Sequence, residues 1–535
     1  MRKRGLMLTV AMMLLLAALA GCGSNNANDP ANDAANGNTA APANEPANKP
    51  ANEPAAADPA TTKLDPVTLK IVLPGDRPAD MDKVIQEAEK RMADTINVKL
   101  DVVFVPFSDL AQKTQVMLAS GENVDLIFDA PWLHIDQMIS AGYYEPLDDL
   151  LAQYGQDAVK VRSQQMFDAN KFQGKIYALP LGNNHLAGRT YLVRKDIREK
   201  LGVPPIKTYE DLINFAYKVK ENEKDVIPLM AYGQSSSKDI AWGAFRAFME
   251  YDPQYLRTDA LGQSLVLYYK NNDGKVYNLF DEMEPTIWSW IEDARKLYTD
   301  GLIHPDILAI KDVESVINSG KVAVAVSNEF GVPSSTQTAL AQNVPGAELE
   351  AVTFIQMEKG KNITNFKQAN FQAIPKVSKN KERAMMFLNW AAQKDNYDLL
   401  AYGIEGTNYE KIGDDQYKQI GTGYSYFPYG WIWNPTLDRL NAGYDEETIK
   451  HYQFNKAADN LTASVLTGFS FDPTPVTNEL SLYNATEDKY YNALFDGVVD
   501  PDETWAKFKK EAEGNAKKIQ VELQKQIDAF LAAKK

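Results

Sequence analysis

Cysteine is nearly missing from this chain: of 535 residues, only Cys22 carries a thiol. The body that follows therefore has no disulfide to staple it and no thiol nucleophile. Histidine is almost as scarce. His134, His185, His304 and His451 are scattered, none sits in a His-Glu-x-x-His pattern, and no Cys/His spacing suits a metal. No metal ion or other cofactor is expected. Gly-x-Ser-x-Gly is missing too, as is the Gly-x-x-x-x-Gly-Lys-Ser/Thr loop that cradles nucleotide phosphates. Any ATP chemistry then belongs to a partner. Beyond residues 6–19, no apolar run approaches the length that spans a bilayer. Positive charge is the minority sign, with 56 Lys and Arg against 72 Asp and Glu, a formal net charge of −16. Such an acidic chain argues against nucleic acid or an anionic membrane surface as its main partner.

What is present begins with an address. Arg2-Lys3-Arg4 precede a mostly apolar run from Leu6 to Leu19, and Leu19-Ala20-Gly21-Cys22 closes it. A basic start, a short apolar stretch and small residues before a cut site make a secretory signal peptide over 1–21. The run is too short to span a membrane comfortably. Leu-Ala-Gly-Cys resembles a bacterial lipobox, which implies cleavage before Cys22 and a lipid on its sulfur. The plainer alternative is an ordinary signal peptide with an incidental cysteine. Removing the three basic residues takes the charge from −16 to −19.

Residues 22–65 read as a tether. From Asn25 to Ala60 there is no aromatic residue and no Val, Ile or Leu. Ala43-Asn44-Glu45-Pro46, Ala47-Asn48-Lys49-Pro50 and Ala51-Asn52-Glu53-Pro54 repeat one rhythm. Such a segment cannot bury enough apolar surface to offset its ordering entropy, so disorder is expected. Frequent proline makes it an extended spacer, reaching about 100 Å at most.

The body from about residue 66 is long enough for two domains, with an ordinary 44% apolar and 24% charged content. Strand patterns fall at 67–73, 98–105, 125–128, 191–193, 227–230 and 322–326. Helical spacing marks Val84, Ile85, Ala88 and Met92, with Asp80 as a candidate cap, and also 108–121, 133–140, 211–220, 287–298 and 382–392. Residues 505–531 form a long C-terminal helical region with Gly514 as a possible break. Strands alternating with helices predict an α/β fold with largely parallel sheets covered on both faces.

Several phrases resemble one family, the solute-binding lipoproteins of ATP-binding-cassette importers, in particular the sugar-binding type. They are Gly174-Lys175-Ile176-Tyr177-Ala178-Leu179-Pro180, Tyr191-Leu192-Val193-Arg194-Lys195-Asp196, Pro205-Ile206-Lys207-Thr208-Tyr209-Glu210-Asp211-Leu212, Asn318-Ser319-Gly320-Lys321-Val322-Ala323-Val324 and Ala373-Ile374-Pro375-Lys376. Gly403-Ile404-Glu405-Gly406-Thr407-Asn408-Tyr409 and Gly468-Phe469-Ser470-Phe471-Asp472 resemble a larger LipO-like subgroup. Their order along 66–535 makes the likeness specific. It implies a periplasmic-binding-protein-like (class II) fold: two lobes, a multi-strand hinge and a ligand cleft between. Lobe 1 should combine 66–187 with 370–415, and lobe 2 should combine 188–369 with 416–535.

The resemblance further implies a monomeric receptor, lipid-anchored on the extracytoplasmic face of the cell membrane. It would capture a carbohydrate of oligosaccharide size by lobe closure and hand it to the permease, with the ATPase subunits engaged only indirectly. No enzyme activity and no catalytic residue are implied. A receptor for peptide or another polar nutrient is the alternative, and a relative kept as a sensor or adhesin is another. A secreted glycoside hydrolase, working through paired carboxylates, is the enzyme alternative.

A sugar offers hydroxyls to polar groups and C–H faces to aromatic rings. Ligands of open α/β sheets bind beyond the carboxyl ends of strands. That rule puts Asp129 and Trp132 at the cleft edge, although Trp132 could simply cover the next helix. By family position, Tyr232, Trp242, Asn328 and Phe330 are ligand contacts from lobe 2; aromatic core is the alternative for Trp242 and Phe330. The run Tyr424-Ser425-Tyr426-Phe427-Pro428-Tyr429-Gly430-Trp431-Ile432-Trp433 is the densest in aromatics. Trp431 and Trp433 either floor the site or staple the later part of the chain to the core. His185 is a hinge or cleft candidate, or a structurally satisfied histidine.

Overall fold

A computed structural model of the chain describes residues 64–534, except 183–188, 232–237, 250–255, 259, 262–263, 311–312, 330 and 425–429. Cys22, the signal peptide and the Ala/Asn/Pro segment lie outside the described residues, as do His185, Tyr232 and Phe330.

Nine strands build the two principal sheets: β1 (Val67–Pro74), β2 (Val98–Val105), β3 (Leu126–Asp129), β4 (Ala178–Leu181), β5 (Thr190–Arg194), β6 (Ile227–Met230), β7 (Val322–Ser327), β8 (Leu349–Val352) and β9 (Asn370–Ala373). The helices that matter here are α1 (Met81–Met92), α2 (Phe107–Ser120), α3 (Ile135–Ser140), α4 (Tyr209–Asn222), α5 (Trp242–Met249), α6 (Pro285–Thr299), α7 (Lys381–Ala391), α8 (Lys394–Tyr402), α9 (Glu446–Lys456), α10 (Thr477–Phe495) and α11 (Pro501–Lys534).

The first sheet has the order β2-β1-β3-β9-β4 and the second β8-β5-β7-β6. Alternation in β1 works as the period predicts. Leu69, Ile71 and Leu73 enter one core, with α1 and α7, while Val72 enters another, with Val105, Ile127 and Phe128. The sheet is therefore covered on both faces, and both sets of side chains gain from burial, about 1.5–3 kcal/mol for each large aliphatic. Helix α1 buries Val84, Ile85, Ala88 and Met92 as its spacing requires.

The sheets are less parallel than the alternation of elements suggests. β1 runs parallel to β2 and β3, and β7 to β6, but β9 is antiparallel to both β3 and β4, and β5 to both β7 and β8. The reason lies in the connections. β5 follows β4 across from the first sheet, and β9 follows β8 back from the second. Each starts at the end where its neighbours finish. The carboxyl ends of β3, β4, β6, β7 and β8 therefore all lie at the end where the chain changes sheets.

Two other expectations change with long-range packing. The order of the family phrases puts residues 416–432 in lobe 2, yet Tyr417, Tyr424, Trp431 and Ile432 are buried in the first lobe's core. Tyr417 packs on Tyr402 of α8 with ring centroids 4.4 Å apart. Later in the chain, Tyr444 and Thr448 press on Gly331, just beyond β7, so closely that a Cβ there would meet them at 3.4 and 2.8 Å. Helix α11 also runs unbroken through Gly514, burying Phe508, Ala512, Ala516, Ile519, Leu523 and Ile527. Those residues join Tyr483, Tyr491 and Phe495 of α10 and Ile287 and Ile291 of α6 in a third core. That contact along the helix outweighs one glycine's cost of about 1 kcal/mol. Asp80 does not cap α1 with its side chain. Its carboxylate accepts instead from Lys83 Nζ at 2.6 Å and Asn408 Nδ2 at 2.9 Å.

Candidate ligand-binding edge of the two sheets

The loop after β3 carries both residues expected there, but they do different work. Asp129 is fully buried. Its Oδ1 accepts from the backbone N–H of Ala130 at 2.7 Å, and its Oδ2 from the Tyr144 hydroxyl at 2.6 Å. The His134 ring meets the same Oδ2 through Nδ1 at 2.9 Å and the Thr114 hydroxyl through Nε2 at 2.8 Å. Asp129 is thus engaged inside the protein and offers nothing to a solute in this arrangement; it shapes the loop. Burial pushes the imidazole pKa of His134 down, but the hydrogen bond and charge of Asp129 outweigh it and leave the pKa raised. Burial, then Asp129, pushes the Tyr144 phenol well above its ordinary value.

Trp132 stands free of that network. It is 47% exposed, unusual for so large an apolar side chain. Its ring is 5.9 Å from Phe128 and 6.4 Å from Phe107, itself 49% exposed. Its indole N–H donates to Asn370 Oδ1 at the start of β9, at 3.2 Å. An exposed indole fixed at one edge presents a face on which C–H groups can stack. Phe107 and Asn370 escape sequence reasoning. Phe107 looks like the first residue of an ordinary helix, and nothing local ties Asn370 to a tryptophan more than two hundred residues earlier.

A second tryptophan lies along the same edge. Trp433 is half-buried, and its carbonyl accepts from the backbone N–H of Gly182, directly after β4, at 2.9 Å. Gly182 has φ +112°, and a Cβ there would come within 2.9 Å of Gln368 Oε1 and 3.5 Å of the Trp433 ring. Three segments, one ending β4, one preceding β9 and one closing the aromatic run, therefore meet at a position only glycine fits. Gln372 Nε2 adds a bond to the Gly430 carbonyl at 2.7 Å.

The remaining expected residues separate. Trp431 is 1% exposed in the core shared with α1 and α7, and Trp242 is 0% exposed in a core of the second sheet, with Tyr191, Leu229 and Val324. Trp242 packs on Tyr191 at 5.3 Å and donates through Nε1 to the Tyr209 hydroxyl at 2.9 Å. Both are core residues here, for the ordinary reason that a large aromatic gains most by full burial. Asn328 is exposed just past β7 and accepts from Arg189, which sits over the Phe245 ring at 5.8 Å. Among the described residues, it is the second-lobe member of the expected set that remains available. Among the described residues, too, no group of three or more His, Cys, Asp or Glu could hold a metal ion, and no helix is long and apolar enough to cross a membrane. A groove of about 610 Å³ lined by Arg91, Tyr154 and Trp390 lies among α1, α7 and α8, away from every residue expected in the site.

Comparison with known proteins agrees with this architecture. Residues 75–398 match the family of bacterial extracellular solute-binding proteins, and residues 465–532, most of the third core's helices, match a domain of unknown function, DUF3502. A carbohydrate ABC transporter substrate-binding protein of Streptococcus pneumoniae serotype 4 is 26% identical over 88% of this chain and 92% of its own. The crystal structure of the N-glycan transport solute-binding protein NgtS from Streptococcus pneumoniae superposes with a TM-score of 0.70, at 23% identity over 88% of this chain and 100% of that one. Its complex with Man5GlcNAc gives 0.65, at 23% identity and the same coverage. These likenesses establish the two-lobe, periplasmic-binding-protein-like fold.

Proposed function

The chain belongs to the bacterial extracellular solute-binding proteins, and from that premise we propose that it captures an oligosaccharide and delivers it to the permease of an ABC importer. Solute binding outside the cytoplasm follows from the family. The observation that carries the carbohydrate reading is the exposed indole of Trp132, fixed by Asn370 beyond the carboxyl end of β3. Relatives named for carbohydrate transport and a neighbour crystallised with Man5GlcNAc support it.

The first lobe, 66–182 with 370–441, supplies Trp132 and Trp433. The second, 189–352 with 444–535, supplies Asn328, and the family position of Tyr232 and Phe330 keeps them as candidates. A ligand satisfies both sets only when the lobes close on it, so binding favours the closed state. The permease then distinguishes closed from open. No bond is made or broken. A lipid on Cys22 and the Ala/Asn/Pro segment keep the monomeric receptor at the membrane.

The test is calorimetric titration of the protein from residue 64 onward with mono- and oligosaccharides, peptides and polyols. Saturable binding of an oligosaccharide that leaves it intact is expected. Binding of peptides alone would remove the carbohydrate assignment, and cleavage of the sugar would move the chain to the glycoside hydrolases.

A further inference from the structure

Trp132 and Trp433 are joined by one row of backbone. Trp132 is held by Asn370; Asn370 pairs with Leu181 across β9 and β4; Gly182 follows, and Trp433 packs on it. Neighbouring strands lie about 4.8 Å apart, and that spacing separates the backbones of β9 and β4 that anchor the two indoles, so they offer two points along one edge rather than one stack. Each has its N–H tied down. The partner of Trp433 is Asp438, whose Oδ2 accepts at 2.9 Å.

Asp438 is itself held firmly. It is buried, and its Oδ1 accepts from the Tyr397 hydroxyl at 2.5 Å and the Tyr402 hydroxyl at 3.5 Å. The Tyr397 oxygen in turn accepts the backbone N–H of Asn434, next to Trp433, at 3.1 Å. The adjacent Arg439 donates to buried Asp398 at 2.9 Å, and Lys456 of α9 donates to the Asp438 carbonyl at 3.0 Å. An aromatic ring fixed before binding loses less rotational freedom when it stacks.

We propose that Asp438 is a positioning residue that fixes Trp433 as a second stacking point, so that the edge selects oligosaccharides long enough to reach both tryptophans. The proposal rests on the carbohydrate reading above. Asp438 touches no solute; it acts through the indole.

The experiment titrates Man1GlcNAc and Man5GlcNAc against the wild-type protein and the variants Trp433→Phe, Asp438→Asn and the pair combined. Trp433→Phe keeps a six-membered ring but removes the N–H together with the pyrrole part of the indole, and it leaves Asp438 its two tyrosines, so the fold is retained. Man5GlcNAc affinity should fall about three- to tenfold in Trp433→Phe, with a clearly smaller loss for Man1GlcNAc. The double variant should be no weaker than the worse single one, because Asp438→Asn acts on the sugar only through its bond to the Trp433 N–H, which Trp433→Phe already lacks. Wild-type affinity for Man5GlcNAc in Trp433→Phe, equal losses for both sugars, or additive losses in the double variant each overturn the proposal. A wild-type protein that binds neither sugar sinks the carbohydrate reading and this proposal with it. Loss of binding in Trp132→Ala without loss in Trp433→Phe sinks this proposal alone.

Discussion

Asp496 Oδ1 accepts the backbone N–H of Trp242 at 2.8 Å, joining the segment after α10 to the first turn of α5, while Asp496 Oδ2 meets no donor among the described residues. The side chain is fully buried, and burial pushes its pKa up to about 7. Its folded pKa lies above its unfolded one, so the stabilising, protonated form is complete below about pH 4 and is lost as pH rises through about 7. The shift from 3.8 to about 7 corresponds to roughly 4 kcal/mol as an upper value. Glu487, also raised to about 7 by burial, adds in the same direction. Asp496→Asn should keep the bond to Trp242 and flatten the fall in melting temperature between about pH 4 and 7. An unchanged pH profile would show that Asp496 is not the group responsible.

His134, beside buried Asp129, titrates with a similar sign from a different cause. His134 is raised, so its share of stability is complete below about pH 6.5 and fades as pH climbs through the raised value. Asp129→Ala removes the acceptor of Tyr144, His134 and Ala130 together and should cost about 3 kcal/mol or more in chemical denaturation. Tyr144→Phe removes one of those bonds and should cost about 1 kcal/mol.

Trp132→Ala separates binding from folding. The ring is half exposed, so denaturant midpoints should barely move, while oligosaccharide affinity should drop at least tenfold, about 1.4 kcal/mol. Full affinity in that variant would remove Trp132 from the site.

Two glycines in and beside the helices of the third core make opposite predictions. Gly514 lies inside α11, and a Cβ added there would have nothing within 4 Å, so Gly514→Ala should stabilise by about 0.5–1 kcal/mol. Gly497 has φ +72°, and a Cβ there would collide with the Ala294 carbonyl. Gly497→Ala should cost about 2 kcal/mol or more, or prevent folding. Thermal melts of the two variants side by side check both.

Much of the fold was legible because it obeys local periods. β1 alternates, α1 buries every fourth or third residue, and the chain phrases in 174–196 and 318–324 sit where their order predicts. Of the candidate site, the sequence marked the position of Trp132, where a short apolar strand ends in a loop and the structure leaves the indole exposed. Trp242 and Trp431 illustrate the failure: an aromatic after a strand reads the same whether it faces solvent or a core, and only the neighbours decide. Tyr417 and Trp431 likewise carry no local mark that sends them to the first lobe.

Composition and pattern by themselves determined the single cysteine, the acidic α/β body, the positions of its strands and the family, since these depend on neighbours within a few residues. The tertiary structure alone decided that Asp129 is consumed inside the protein, that β5 and β9 run against their neighbours, and that Gly182, Gln368 and Trp433 meet. Those outcomes rest on contacts between residues far apart in the chain, where packing space and the pairing of buried polar atoms set the result.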